Sequence, residues 1–219
     1  MNLETFLFIA NSSTASALLA ILIGLTRLAF LSRELKLLLI LAGVSFTCDM
    51  AALFHNELGI SVNYFGDTYR LAEFILLLIL YYKVFNNPKW FWIFLSLALS
   101  CILFFFFNVI FLQQEKINSY SDSISACVFI VLAVLFLYKL MKDLPTLEVY
   151  RLPMFWVNVA VLLYFAGNLF LFIISNYLVT VLKDKLLIYW TFHNFLGITK
   201  NILFAVGFYM SFRLSKKPL

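Results

Sequence analysis

Long runs of apolar residues, separated by short polar segments, follow one another along the whole chain. A helix needs about 20 mostly apolar residues to cross the roughly 30 Å hydrocarbon core of a bilayer. The run lengths, and the lack of ten-residue stretches of alternating polarity, favour membrane-spanning helices over strands. The pattern predicts one all-α domain over residues 1–219, a polytopic bundle of seven transmembrane helices. The predicted spans are 5–30, 36–56, 66–85, 90–112, 122–142, 154–181 and 187–212.

Charged residues, amides and prolines mark the breaks between these spans. Five of the six breaks are Arg33 to Lys36, Asn86 to Lys89, Gln113 to Lys116, Pro145 to Pro153 and Lys183 to Lys185. None has room for a soluble domain, so any chemistry must lie within the bundle or at its rim. Near the N-terminus, Glu4 replaces the basic residues of a signal peptide, and the first run exceeds an h-region. We therefore expect a retained first helix.

The composition agrees with lipid as the solvent. Hydrophobic residues make up 64% of the 219 and charged residues only 12%, about half the charged fraction of a soluble domain. Because a water-soluble core of this size could not hide so much apolar surface, membrane lipids are its predicted surroundings. The net charge of +5 does not indicate nucleic acid, since Lys and Arg are scattered at the ends of apolar runs. The cysteines, which lie inside apolar runs without C-x-x-C spacing, predict neither disulfides nor a metal site. They are Cys48, Cys101 and Cys127.

Lys and Arg are distributed unequally between the two ends of the predicted bundle. Eleven belong to the end that holds the C-terminal tail and three to the opposite end. The remaining two of the 16, Arg70 and Lys200, lie within spans. Cytoplasmic loops carry the excess of basic residues in membrane proteins. The sequence therefore predicts a cytoplasmic C-terminus and an N-terminus outside.

Ionisable residues within the spans are candidates for function, because each costs about 2.5–3.5 kcal/mol near mid-helix on insertion scales. With a rise of 1.5 Å per residue, the predicted topology places most of them in the outer half of the bundle. Asp67 and His55 are interpreted as solvated residues of the outer rim. We predict a polar pocket open to the outside, which could bind a ligand. Its candidate residues are Glu73, Lys200, His193, Asp49, Asn194, Arg70 and Asn168.

Helical phase indicates which of these side chains meet. His193 and Lys200 are seven residues apart and share one face of the last helix. Arg70 and Glu73, three residues apart, can pair on one face of the third helix. Lys200 lies too deep to reach the membrane surface, so we expect it to pair with Glu73 or Asp49. The Asn and Ser residues of transmembrane spans more often form contacts between helices than contacts with a ligand.

Two features resemble microbial rhodopsins, in which a lysine of the last helix carries retinal as a Schiff base. Lys200 has the corresponding position, and Tyr69 to Glu73 is similar to the third-helix motif that supplies the counter-ion. However, Leu196 stands where that family has Asp, and the sixth span lacks a Trp-rich wall. Retinal on Lys200 is therefore not expected. A zinc hydrolase is disfavoured as well, because the chain has two His and no pair four residues apart. No catalytic residue and no cofactor is predicted.

A stronger resemblance covers essentially the whole chain. The segments that carry it are Tyr69 to Phe74, Tyr81 to Lys83, Phe155 to Asn158, Tyr164 with Phe165, Trp190 to Asn194 and Lys200 to Phe204. They are similar to a family of small, uncharacterised seven-helix inner-membrane proteins of Gram-negative bacteria. Members are often encoded beside sensor histidine kinases. The resemblance implies a bacterial inner-membrane location and an input role for such a kinase, but no activity.

These observations favour a receptor-like or sensory membrane protein that signals to a cytoplasmic partner. A receptor needs an outward pocket and a cytoplasmic surface, and the basic inner loops could supply the latter. A transporter of a small molecule or ion is the alternative, although it needs polar groups that reach both faces. The inner half of the predicted bundle is largely apolar. A retinal-binding protein is a further alternative.

Overall fold

The computed structural model describes residues 3–57, 63–113, 117–143, 148–182 and 186–216. Within these ranges the regular structure is helical, which confirms the predicted all-α class. The helices are α1 (Leu3–Thr26), α2 (Arg33–Glu57), α3 (Asn63–Phe85), α4 (Phe91–Phe107), α5 (Ser119–Asp143), α6 (Pro153–Thr180) and α7 (Leu186–Lys216). A π-helical turn, Asn108–Leu112, continues α4. The predicted spans differ from these bounds by only a few residues.

Six of the seven described helices are long and apolar enough to cross a membrane. The exception is α3, which carries charged side chains at Asp67, Arg70, Glu73 and Lys83. The structure thus confirms the helices themselves, whereas α3 does not qualify as a span by its composition.

The break predicted at Arg33 to Lys36 is wrong, because these residues form the first turn of α2. Ser32 precedes them, and its side-chain Oγ accepts a hydrogen bond from the backbone N–H of Leu35 at 3.4 Å. This is the position and chemistry of an N-cap. The chain instead turns at Arg27 and through the 3₁₀ segment Leu28–Phe30. Charge alone therefore misplaced the boundary by a helical turn.

The break after α3 lies where it was predicted. Asn86 adopts a positive φ of 45°, a conformation that Asn tolerates better than most residues. The side chain of Asn87 then accepts a hydrogen bond from the backbone N–H of Lys89 at 3.0 Å, ahead of the short 3₁₀ segment Pro88–Trp90. Pro153 is the first residue of α6, as Pro88 is of its 3₁₀ segment. The missing N–H of proline costs nothing at this position.

Six helices form a ring in which neighbours contact each other in the order α1, α2, α3, α5, α6, α7 and back to α1. Helix α4 packs against α3 and α5 from outside this ring, and Phe94 is its one buried side chain between Phe91 and Phe107. The ring leaves two distinguishable ends. We call them the acidic end, which holds Asp49, Asp67 and Asp122, and the basic end, which holds Arg27 and Lys139.

Contacts between helices fix the basic end. Lys139 Nζ donates to the backbone carbonyls of Val84 and Phe85, at 3.0 Å each, so a lysine of α5 satisfies the last carbonyls of α3. The hydroxyl of Ser211 on α7 donates to the Phe30 carbonyl at 2.6 Å. A cavity of about 470 Å³ opens between these elements. We call it the basic-end cavity; Phe30, Leu35, Phe136, Met154 and Ser211 contribute to its walls.

Apolar side chains fill the ring between the two ends. We call this layer the apolar floor and define it by Leu38, Leu77, Val161, Phe204 and Phe208, each at most 2% exposed. They come from α2, α3, α6 and α7, and each lies between the basic end and the polar residues of its own helix. Burial of this kind follows from close packing at crystal-like density.

A polar bridge crosses the buried layer. The Tyr81 hydroxyl donates to Asn158 Oδ1 at 2.8 Å, and Asn158 Nδ2 donates to the Ala133 carbonyl at 3.1 Å, which joins α3, α6 and α5.

We expect Asn158→Leu to lower the free energy of unfolding by about 1–3 kcal/mol, because the buried Tyr81 hydroxyl loses its acceptor. The double variant with Tyr81→Phe should be less destabilised than Asn158→Leu alone. Titration with SDS in mixed micelles measures both; additive losses would contradict the bridge.

Candidate ligand-binding site

A buried ion pair between α3 and α7 lies at the centre of the acidic end. Lys200 Nζ is 2.6 Å from Glu73 Oε1, and each side chain is 7% exposed. The Tyr69 hydroxyl donates to the same Glu73 oxygen at 2.7 Å and accepts from Lys200 at 3.0 Å. The prediction that Lys200 pairs with an acid is confirmed, and the acid is Glu73. A charge pair at this burial is stable only when hydrogen bonds complete it, which Tyr69 provides.

Aromatic rings surround the lysine as well. Lys200 Nζ lies 3.8 Å from the centroid of the Tyr164 ring and 5.7 Å from that of Tyr69. These distances fall within the range of cation–π attraction. The ammonium group is thus bonded to one carboxylate and one hydroxyl, and it lies close to the Tyr164 ring.

A cavity of about 430 Å³ opens beside this pair. We call it the polar cavity, because hydroxyl, amide and charged side chains of α1, α2 and α7 make up much of its wall. Its polar lining consists of Asn11, Ser13, Thr14, Ser45, Asp49, Tyr69, Tyr164, His193, Asn194, Lys200 and Asn201. The structure therefore brings together four of the predicted site residues, Asp49, His193, Asn194 and Lys200, around one space.

A second cavity of about 200 Å³ adjoins the first on the side of α5 and α6. We call it the aromatic cavity. Its walls combine the polar groups Asp49, Arg70, Glu73 and Asp122 with the rings of Tyr69, Phe74, Phe129, Tyr164, Phe165, Phe172, Trp190 and His193. Asp49, Tyr69, Tyr164 and His193 line both cavities and form the partition between them.

Asp49 is the acid of this group without a counter-ion. Its carboxylate makes no hydrogen bond and no ion pair with any residue in the described ranges, although it faces both cavities. Lys200, which lines the polar cavity together with Asp49, is bonded to Glu73. The Asp49 side chain is exposed, whereas the ionisable groups of transmembrane segments normally pair with one another or with backbone.

His193 is held in one orientation by Asn168. The Asn168 amide nitrogen donates to the Tyr164 carbonyl at 2.9 Å, which leaves its Oδ1 as the acceptor for His193 Nδ1–H at 3.0 Å. The imidazole ring also lies 5.3 Å from the Trp190 ring and 6.0 Å from the Phe172 ring. Because Nδ1 carries the proton, Nε2 is the free acceptor of the ring. Asn168 therefore positions His193 and is itself fully buried.

The predicted pairing of Arg70 with Glu73 is wrong. Arg70 bonds Asp67 at 2.8 Å on its own helix and Asp122 at 3.0 Å on α5. Glu73 instead accepts hydrogen bonds from Lys200 and Tyr69, and these satisfy its carboxylate without Arg70. We call the three-residue group Asp67, Arg70 and Asp122 the arginine clamp, because it ties α3 to α5. Asp67, interpreted as a rim residue, belongs to it and is 28% exposed.

The residues of this site that lie outside the predicted pocket include Asp122, Tyr69, Tyr164 and Asn201. Asp122 was counted only as the first residue of the fifth span, yet it is buried. Tyr69 precedes Glu73 by four residues, a spacing that places both on one helix face. This contact could therefore have been predicted from the sequence. The position of Tyr164 follows only from the packing of α6 against α7. Asn201, next to Lys200, bonds Ser16 Oγ at 2.9 Å and joins α7 to α1. The side chain of His55 lies outside the described residues.

Within the described ranges, no group of three or more His, Cys, Asp or Glu is arranged to hold a metal ion. Four carboxylates, from Asp49, Asp67, Glu73 and Asp122, instead share this end of the bundle with the two cations Arg70 and Lys200. No family model matches the chain, and comparisons with curated proteins and with solved structures found no match. The site must therefore be interpreted from its geometry.

Proposed function

We propose that this chain is a seven-span receptor-like membrane protein whose polar and aromatic cavities open to the outside. The observation that carries the proposal is the convergence of charged and polar side chains from α1, α2, α3, α6 and α7 on the polar cavity. Below this cavity lies the apolar floor. A ligand pocket above a closed, packed layer fits a protein that reports occupancy to the other side of the membrane.

The proposal includes α3 as the seventh span, despite its charges. Its 23 residues extend about 35 Å at 1.5 Å per residue, enough to cross the hydrocarbon core. Glu73 is buried against Lys200, and Arg70 is neutralised by the arginine clamp. Charges that face the bundle interior and pair there are the kind that transmembrane helices carry.

The orientation is proposed from charge. The basic end gathers helix ends that carry Arg27, Lys83, Lys139 and Arg213, and basic residues accumulate on the cytoplasmic side of membrane proteins. In that orientation the acidic end and its cavities face outward. The basic end would then be the surface for a cytoplasmic signalling partner, for which the family resemblance suggests a sensor histidine kinase in a bacterial inner membrane.

Transport of a small molecule or ion is the second candidate, and the basic-end cavity favours it. A transporter exposes its site to the two faces in turn, and this bundle has a cavity at each end. Along α7, Lys200 and Ser211 line the two cavities, roughly 16 Å apart at 1.5 Å per residue. The apolar floor would have to open for transport, whereas a receptor needs no such opening.

The experiment compares access to the cavity from the two sides of the membrane. Ser13→Cys lines the polar cavity and Ser211→Cys lines the basic-end cavity. Each is placed in a background in which the native cysteines are replaced by Ala. A membrane-impermeant maleimide is then applied to spheroplasts and to inside-out vesicles.

We expect Ser13→Cys to be labelled only in spheroplasts and Ser211→Cys only in inside-out vesicles. Labelling of Ser13→Cys from both sides would favour transport. Labelling of Ser13→Cys only in inside-out vesicles would overturn the proposed orientation and the receptor with it. Addition of all-trans retinal to the purified protein, without a new visible absorption band, would eliminate the rhodopsin-like alternative.

A further inference from the structure

We propose that the aromatic cavity binds a small organic ammonium ion, with the Asp49 carboxylate as its counter-ion. The inference deepens the proposed function, on which it rests for access from outside. It depends on three properties of the site: the charge of Asp49, which has no partner in the described part of the chain, the aromatic walls, and the size and surroundings of the cavity.

Among the acids that line the aromatic cavity, Asp49 is the one whose charge has no partner among the described residues. Its carboxylate is therefore available to a cation from outside the protein. Glu73 is bonded to Lys200, and Asp122 to Arg70. Asp49 faces the same cavity as these acids and makes no ion pair or hydrogen bond within the described part of the chain. A bound cation would compensate the remaining carboxylate, whereas an anionic ligand would add a further negative charge to this wall.

The walls select an organic cation over a metal ion. Rings of Phe74, Phe172 and Trp190 line the aromatic cavity, and ring faces attract alkylated ammonium groups through cation–π interaction. The protein already uses this chemistry once, because the Lys200 ammonium lies 3.8 Å from the Tyr164 ring centroid. Hard metal ions require six or more oxygen ligands, and aromatic carbon supplies none.

The size of the cavity indicates a small head group. Its volume of about 200 Å³ is below the range of roughly 300–1,000 Å³ for pockets of drug-sized ligands. The polar cavity adjoins it across Asp49 and His193 and offers the hydroxyl and amide groups of Ser45 and Asn194. The ligand class is therefore a compact ammonium group, with room for a short polar substituent next to it.

The test uses the purified full-length chain in nanodiscs, with choline and tetramethylammonium as probes. The neutral isostere 3,3-dimethyl-1-butanol has the shape of choline without the charge, and NaCl is matched in ionic strength. Isothermal titration calorimetry measures binding. We expect saturable binding of both cations, and binding of the isostere at least about tenfold weaker, which corresponds to about 1.4 kcal/mol.

Three variants locate the site. Asp49→Asn should weaken choline binding at least about tenfold, and Trp190→Leu should weaken it several-fold. Glu4→Gln removes the same charge from an exposed position in the first turn of α1 that lines neither cavity, so it should stay within about twofold of wild type. Asp49 makes no bond within the described residues, so its replacement by the near-isosteric Asn should leave folding intact; a thermal unfolding curve for each variant verifies this.

Equal binding of the isostere, an unchanged affinity in Asp49→Asn, or no binding of either cation would overturn the proposal. The two proposals fail separately. Outside labelling of Ser13→Cys without choline binding would remove only the ammonium ligand. Choline binding with labelling of Ser13→Cys from the inside alone would keep the ligand class and remove the outward-facing receptor.

Discussion

Replacement of Glu73 by Gln is expected to lower the free energy of unfolding by about 3–5 kcal/mol. The substitution keeps the shape of the side chain but leaves Lys200 charged and buried, with a side-chain exposure of 7%. Tyr69 cannot compensate, because the neutral hydroxyl that accepts a hydrogen bond from Lys200 supplies no negative charge. Lys200→Met should cost a similar amount, since it leaves Glu73 without its cation. SDS titration of the purified protein in mixed micelles measures these differences.

The double variant Glu73→Gln with Lys200→Met separates the loss of the pair from the exposure of a single charge. Replacement of both partners of a buried pair is often close to neutral, so the double variant should be more stable than either single variant. Glu4→Gln, the same chemical change at an exposed residue of α1, should stay within about 0.5 kcal/mol of wild type. Losses below about 1 kcal/mol in both single variants would mean that the pair is solvated rather than buried.

The helices of this fold were predictable from the sequence because a single physical requirement determines them. An apolar run long enough to cover the hydrocarbon thickness needs internally bonded backbone, so run length predicted the helices α1 to α7 within a few residues. The start of α2 was misjudged because Arg33 to Lys36 look like a loop by charge, while the N-cap at Ser32 makes them helical. A capping residue carries this information, whereas a charge run does not.

The sequence predicted which residues of the candidate site gather at one end of the bundle better than it predicted which side chains pair with each other. Periodicity placed Lys200 and His193 on one face, and burial required an acid for Lys200. These steps left Glu73 and Asp49 as alternatives, and the structure shows that the partner is Glu73. The choice of partner for Arg70 depended on α5, which no periodicity within α3 can reveal. The aromatic cavity has the same origin, because its rings come from α3, α5, α6 and α7 and meet only after the helices pack.

The arginine clamp gives the second large expected effect. Arg70→Met should lower the free energy of unfolding by about 2–4 kcal/mol, because Asp122 then remains buried, with a side-chain exposure of 7%, without a cation. The clamp joins α3 to α5 at the acidic end, as Lys139 does at the basic end. Loss of the guanidinium should therefore also loosen the wall that α3 and α5 give to the aromatic cavity. SDS titration measures the stability, and calorimetry with choline measures the effect on the cavity.

The two acids of the clamp should differ, and this difference tests burial rather than charge. Asp122→Asn removes the buried partner and should cost about 1–3 kcal/mol. Asp67→Asn removes a partner that is 28% exposed and three residues away on the same helix, so it should cost at most about 1 kcal/mol. Equal losses for the two variants would show that the clamp acts as a solvated surface network. In that case α3 would be in contact with water along this face. Its charges would then not be paired inside the bundle, and α3 would not be expected to span the membrane.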